Sequence, residues 1–438
     1  MKIDLIEILY AVSFALDATE IEYYKKRAES NGIDLSSVSY KDHKTKNITM
    51  NHSKRIAALA VLTGKAMGLD QVDLYDLSAL CILHDNALTE FIQEEIEFRK
   101  YNNGLPYNDS AVIMRICKIG AKNVSVLPFR TNNRDIMLYH HEKADGTGPF
   151  GRRADRTPVK SQLMHLAECI DCYCDLTDST EENYREICFY VRSNTHTLFG
   201  EEVATAFLNV FKKKTLANFS NANIDKFLRS LTRHYEDSYN QKEIKTLGEL
   251  FARIVDYKSH YTCIHCVGVA DRCAKMAEFY NFPEEKAAKF YLAGALHDIG
   301  KLSVSMDILQ KPTNLNDDEY ELMKMHALYT YDVLSKLKGM KDICNWASHH
   351  HEKLNGNGYP FKLSGKQLSH EERLVACCDI YQALTEKRPY KDGFTHEETI
   401  RIMREMAEKG EIDYDIVTDM HHVFQHEIPQ IEAELNQK

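Results

Sequence analysis

An all-α fold built from two copies of one helical bundle is what this sequence predicts, and three observations carry the prediction. Glycine (19) and proline (9) are scarce in 438 residues, while Leu, Ala, Glu, Lys and Met are frequent, a composition of long helices joined by short loops. Apolar residues recur at helical spacing, as at Val269, Cys273, Met276 and Phe279. The chain also matches itself: thirty-two residues separate His52 from the His84-Asp85 pair, and thirty-two separate His265 from His297-Asp298. A repeat of that length means two copies of one structural unit.

The elements follow in order. The opening run LIEILYAVSFAL is interrupted by Glu7 and is too short to span a bilayer, so a buried helix is expected. The first copy occupies about residues 1–215 and carries His52, His84-Asp85, the segment MRIC ending at Cys117, His140-His141 and Asp171. Residues 216–245 hold a helical stripe of Ile224, Phe227, Leu228 and Leu231 and read as a helical connector. No Pro/Gly/Ser-rich tether lies there, so a fixed packing of the two copies is expected. The second copy, about residues 246–438, sets MKMH ending at His326 opposite MRIC, His350-His351 opposite His140-His141, and Asp379 opposite Asp171. The tails agree as well, EEVATAFLNVF ending at Phe211 and YDIVTDMHHVF ending at Phe424.

Composition excludes several classes of function. A hydrophobic fraction of 44% and a charged fraction of 27% describe a soluble globular chain. A net charge of -10 argues against binding of polymeric nucleic acid, yet leaves room for a small anionic ligand met by a few local cations. The twelve cysteines follow no framework spacing and no secretory leader is recognised, so reduced thiols, a cytoplasmic location and no membrane association are expected. A homodimer is a further expectation.

In the second copy several polar residues fall on apolar helical segments, where an unpaired buried charge is costly. His265 opens an apolar face; His297 and Asp298 end EEKAAKFYLAGALHD just before Gly300, read here as a helix stop. Asn316 with Glu319, and Ser369 with Glu372, form capping-box patterns at the starts of the helices carrying His326 and Asp379. A lone histidine is more often a satisfied core residue than a ligand. Six positions echoed at matching spacings in a second copy point to metal instead. Imidazole and carboxylate donors without thiolate suit iron, manganese or a similar divalent ion, and a carboxylate can bridge two of them.

His265, HDIGK (His297 to Lys301), His326, HHEKLNGNGYP (His350 to Pro360) and Asp379 followed by LTEKRPY resemble the HD-GYP subgroup of the HD-domain phosphohydrolases. The resemblance covers the second copy and implies an HD-type helical bundle that hydrolyses cyclic di-GMP to the linear dinucleotide pGpG or on to GMP, or acts on another cyclic dinucleotide. It implies two divalent metal ions, iron or manganese. His265, His297, Asp298 and Asp379 would hold one, and His326, His350 and His351 the other, with Asp298 bridging. Asp298 and Lys301 would be catalytic. Lys301 and Tyr359 would contact the substrate, and Arg388 and Lys391 match positions that hold its distal phosphate. His349 lies outside the motif.

Two positions depart from the family. Gln382 stands where a second Asp is usual, and Tyr261 stands four residues before His265, where members with a third metal carry Glu; a binuclear site is therefore expected. The first copy keeps His52, His84, Asp85, His140, His141 and Asp171 as a possible vestigial metal site, but has Cys117 for the middle histidine, Leu88 for the lysine, GPF for GYP and Thr180 opposite Arg388. Its retention for packing is the plain reading, and regulation or ligand sensing the alternative. For the whole chain the alternatives to a phosphodiesterase are a non-catalytic cyclic-dinucleotide receptor and an HD-type nucleotidase.

Overall fold

The computed structural model describes residues 2–30, 49–88, 90–92, 109–133, 135–232, 235, 237–258, 265–309, 311, 313–337, 339–387 and 392–425. It divides into two compact units, one of residues Lys2–Ser238 and the other essentially Tyr239–Lys438. The division falls inside the segment expected as a connector. Ile224–Leu231 packs on the first unit, with Ile224, Leu228 and Leu231 buried, whereas Gln241–Lys258 belongs to the second.

The described residues of both units are almost wholly helical. The first unit contains α1 (Leu5–Ser30), α2 (His52–Ala66), α3 (Gln71–Ile82), α4 (Asp109–Val124), α5 (Val159–Tyr173), α6 (Glu181–Ser193), α7 (Glu201–Val210) and α8 (Ile224–Leu231). Its one strand pair sets Lys2 opposite Ser238 and Ile3 opposite Asp237, antiparallel. α2 is the hub, packing on α3, α5, α7 and α8. Ile56 through Val61 are fully buried along it. Leu5, Ile6, Ile8 and Leu9 at the start of α1 are buried too, as the apolar opening run predicts.

The second unit repeats the scheme with α9 (Gln241–Lys258), α10 (His265–Phe279), α11 (Glu284–Leu296), α12 (Asp317–Leu334), α13 (Lys341–Ser348), α14 (His370–Thr385), α15 (His396–Glu408) and α16 (Tyr414–Phe424). Here α10 takes the place of α2, packing on α9, α11 and α14. Each large apolar side chain buried in these contacts contributes about 1.5–3 kcal/mol relative to exposure. Both expected capping boxes form: Asn316 and Glu319 exchange bonds at the start of α12, and Ser369 and Glu372 at the start of α14. They fix the entry points of the helices that carry His326 and Asp379.

Gly300 differs from its expected role. α11 already ends at Leu296, and Gly300 sits in the 3-10 turn Ile299–Ser303. A Cβ there would collide with the carbonyl oxygen of His326. The glycine is needed for close approach of this turn to α12, not to stop a helix. Thr330 then ties the two elements, accepting from Gly300 N at 3.1 Å and donating to the His297 carbonyl at 2.9 Å.

Candidate metal centre

In the second unit five elements deliver the predicted residues to one buried point. His265 is the first residue of α10, His297 and Asp298 follow α11, His326 lies within α12, His350 and His351 follow α13, and Asp379 lies within α14. Their donor atoms form two groups, His265 with His297 and Asp379, and His326 with His350 and His351, each having its atoms within 4.8 Å of one another. Asp298 lies between the groups and divides its oxygens. Oδ2 is 3.2 Å from His297 Nε2 and 4.0 Å from His265 Nε2, while Oδ1 is 3.3 Å from His326 Nε2 and 3.9 Å from His350 Nε2. Asp379 Oδ1 completes the first group, 3.0 Å from His265 Nε2 and 3.7 Å from His297 Nε2.

The far side of each ring is fixed by the backbone. His297, His326 and His350 each place Nδ1 against the carbonyl three residues earlier, on Gly294 at 2.7 Å, Met323 at 2.7 Å and Ala347 at 2.6 Å. A proton held on Nδ1 leaves the Nε2 lone pair facing inward, the arrangement of a metal-ligating histidine. His265 uses Glu386 instead, Nδ1 to Oε2 at 3.0 Å. Glu386 was not marked by sequence reasoning, although it lies within the LTEKRPY run. Cys266 was also missed; its thiol lies within reach of His297 and Asp298.

At His326, His350, His351, Asp298 and Asp379 the electrostatics agree with the donor set. Burial drives the His350 imidazole well below its usual range and His351 down to about 3, helped in each case by a neighbouring imidazole, and it lowers His326 as well. These three rings are therefore neutral and available as ligands at pH 7. Burial opposes charge on Asp298 and Asp379. Lys301 and His297 nevertheless hold Asp298 well below the carboxylate range, and the His265 hydrogen bond, with His297 beyond it, does the same for Asp379. Burial would lower His265, but its bonds to Asp379 and Glu386 raise it to about 10, so this ring must give up a proton to a metal before it can ligate one. His297 Nε2 and Asp298 Oδ1 are buried with no hydrogen-bond partner. Inward-facing acceptors without a donor are what a cation requires and what a closed protein core avoids, so these residues fit a bound metal.

The remaining predicted residues fall around this point. Lys301 Nζ is 2.5 Å from Asp298 Oδ2, at the edge of the cluster. The Tyr359 ring lies 4.7 Å from His351 and 6.4 Å from His326, so it packs on the ligands themselves. Arg388, Lys391 and Tyr261 lie outside the described residues. Gln382 does not face the ligands; it is buried, accepts from Arg272 Nε at 2.9 Å and lies where a Cβ on residue 268 would collide with it. His349 bonds Glu372 through Nδ1 at 2.6 Å and serves the start of α14. The loop after His351 is clamped by Glu352, whose carboxylate accepts from Phe361 N at 2.7 Å and Leu363 N at 2.9 Å.

The first unit brings most of its candidates together but rearranges the carboxylates. His52, His84 and His140 are buried, with His141 alongside; the His52 and His84 centroids are 5.3 Å apart, against 5.4 Å for His265 and His297. Asp171 departs from the expected ligand role. Its two oxygens accept from Arg55 Nε at 2.5 Å and Nη2 at 3.0 Å, and it meets His52 Nδ1, not Nε2, at 2.6 Å. Burial opposes its ionisation, but Arg55 and His52 hold it below the usual range. The carboxylate facing His52 Nε2 is Glu20 of α1, at 3.4 Å. Asp85 Oδ2 is 3.7 Å from His84 Nε2. Leu88, opposite Lys301, is buried in an apolar cluster with Phe91, Val112 and Ile116. Thr180, opposite Arg388, caps α6 by accepting from Asn183 N.

Comparison with known proteins adds relatives to this geometry. Residues 238–416 match the family model described as an HD domain. The chain is 28% identical over 376 residues, 84% of its length and 85% of the relative's, to the 3'3'-cGAMP-specific phosphodiesterase 1 of Vibrio cholerae. It is 36% identical over 186 residues, 42% of each chain, to a cyclic di-GMP phosphodiesterase of Pseudomonas aeruginosa. A crystal structure of a cyclic GMP-AMP specific phosphodiesterase of V. cholerae shares the fold, with a TM-score of 0.64, 21% identity and coverage of 98% and 99% of the two chains.

Proposed function

We propose that the second unit, where residues 238–416 match an HD domain, is a metal-dependent phosphohydrolase that cleaves a phosphodiester bond of a cyclic dinucleotide to give a linear dinucleotide. The observation that carries this reading is the division of Asp298, one oxygen toward His265 and His297 and the other toward His326 and His350. A carboxylate so placed serves two cations. His265, His297, Asp379 and Asp298 would hold one, and His326, His350, His351 and Asp298 the other. With oxygen and imidazole donors, iron or manganese fits both positions. Such ions supply charge neutralisation for the phosphodiester and acidify water at neutral pH.

The chain's own residues do the rest. Backbone carbonyls and Glu386 lock the imidazoles so that little reorganisation is needed when the site fills. Lys301 keeps the bridging carboxylate ionised and stands at the edge of the cluster, where a phosphate oxygen can reach it. Tyr359 closes one wall against His351 and offers an aromatic face to a base. Arg388 and Lys391 are assigned to the second phosphate of the substrate.

Cyclic di-GMP and mixed cyclic GMP-AMP both belong to this substrate class. One observation favours the mixed dinucleotide: relatives matched along 84% and 73% of this chain are named for 3'3'-cGAMP, whereas the Pseudomonas cyclic di-GMP enzyme matches 42% of it. The test is to strip the protein of metal, reconstitute it with iron or manganese, incubate it with each dinucleotide and resolve the products by chromatography. Linear product that depends on metal is expected. Binding without any linear product would replace the enzyme with a receptor.

A further inference from the structure

The first unit contains a second constellation that its worn motifs conceal. Glu20 is 2% exposed and lies on α1, thirty-two residues before His52 and with no counterpart in the self-match of the chain. α1 is pinned to the start of α2 by Asp17, which accepts from the Ser53 backbone N at 3.1 Å. One turn further along α1, that anchor brings Glu20 Oε1 to 3.4 Å from His52 Nε2 and Oε2 to 3.9 Å from His84 Nε2. Beside it, Cys117, His140 and His141 bring a thiol and two imidazoles within 4.8 Å of one another, as His326, His350 and His351 do in the second unit.

The rings are also set as ligands. His84 and His140 place Nδ1 against the carbonyl three residues earlier, on Cys81 at 2.9 Å and Met137 at 2.6 Å, and Asp171 takes Nδ1 of His52 at 2.6 Å. Glu168 faces Nδ1 of His141 at 3.3 Å. The inward Nε2 atoms of His84 and His140 are buried and have no hydrogen-bond partner. A unit retained for packing alone would gain from replacing such atoms with apolar groups, yet they persist where a cation would satisfy them.

We propose that the first unit is itself a metal-binding module, with one position at Glu20, His52 and His84 and a neighbouring thiolate–imidazole position at Cys117, His140 and His141 that selects cations of the zinc class. Glu20 replaces the carboxylate that the repeat would draw from Asp171, and Asp171 becomes the group that orients His52. The sulfur donor sets this centre apart from the all-oxygen-and-imidazole predicted ligand set of the second unit and shifts its preference from hard ions toward zinc.

The test uses the full chain stripped of metal. Titration with cobalt(II) is expected to give a near-ultraviolet thiolate-to-cobalt charge-transfer band in the wild type and in Cys266→Ser, and to give none in Cys117→Ser. Zinc content by mass spectrometry should fall by about one ion per chain in Glu20→Gln, while hydrolysis by the second unit stays within two-fold of wild type. A wild-type chain without the band, or a band that survives in Cys117→Ser, overturns the thiolate position. Unchanged zinc content in a Glu20→Gln chain with an intact circular dichroism spectrum overturns the Glu20 position. Should Glu20→Gln fail to fold, Glu20→Asp, which keeps the charge but draws the carboxylate one methylene back from His52 and His84, is read by the same zinc measurement.

Discussion

In the second unit His265 turns Nε2 toward Asp379 and Nδ1 toward Glu386; in the first, His52 turns Nε2 toward Glu20 and Nδ1 toward Asp171. The aspartates occupy equivalent sequence positions and opposite sides of the ring. Arg55 accounts for the difference, because a guanidinium bonded to both oxygens of the buried Asp171 holds it away from the centre of the cluster and leaves it only the outer nitrogen of His52. Around that change the scaffold is constant. Glu142 accepts from Phe150 N and Arg152 N as Glu352 does from Phe361 N and Leu363 N. Neither Gly148 nor Gly358 leaves room for a Cβ, each approaching the backbone of the clamping segment. A duplicated fold thus holds its loop and four of its imidazoles in place while the polar groups beside them are exchanged: Lys301 for Leu88, His326 for Cys117. The lesson is that the positions of the histidines report ancestry, and the charged neighbours report chemistry.

The comparison can be broken most sharply at the adjacent His297 and Asp298. Asp298→Ala or His297→Ala is expected to lower turnover by roughly three orders of magnitude or more and to reduce metal content, since Asp298 would serve both positions and His297 one of them; His84→Ala on the other side of the duplication should do neither to the second unit. Wild-type turnover in a metal-depleted His297→Ala protein would end the metal-dependent reading.

Arg388→Ala comes next. It should leave metal content unchanged and weaken use of cyclic dinucleotides by about 2 to 4 kcal/mol, because a guanidinium suits bidentate contact with a phosphate the metals do not hold. Hydrolysis of bis-p-nitrophenyl phosphate, with no second phosphate, should change far less. Equal losses on both substrates would place Arg388 at the reacting phosphate.

Glu386→Gln tests orientation of a ligand rather than ligation. It removes the carboxylate behind His265, and metal affinity measured by competition with a chelator should drop by about ten- to a hundred-fold. Asp171→Asn should lower the first unit's affinity for zinc within the same range and leave turnover unaffected. A smaller effect belongs to Gly300→Ala, where the added methyl meets the His326 carbonyl; a loss of about 1 to 3 kcal/mol in denaturant unfolding is expected.

Much of this molecule is legible from the chain alone. Helical class follows from composition and apolar period, the duplication from matched spacings, and the starts of α12 and α14 from Asn316–Glu319 and Ser369–Glu372, because propensity, periodicity and capping are local properties that neighbouring residues decide. Four histidine positions stand out for a different reason: His52, His84, His140 and His141 recur as His265, His297, His350 and His351, so each copy serves as a control for the other. Glu20, Glu386 and Arg55 gave no such signal. Glu20 has no partner in the repeat, Glu386 lies at a helix end among other charged residues, and Arg55 is one of three cations on its helix, with Lys54 and Lys65. Their roles come from convergence of α1, α2, α5 and of α10, α14 onto single rings, and no local pattern records which side of an imidazole a distant carboxylate will face. Gly300 teaches the same point at the backbone. Its sequence setting suggests the end of a helix, and only the packing of its turn against His326 shows that the absent side chain is required for contact between elements.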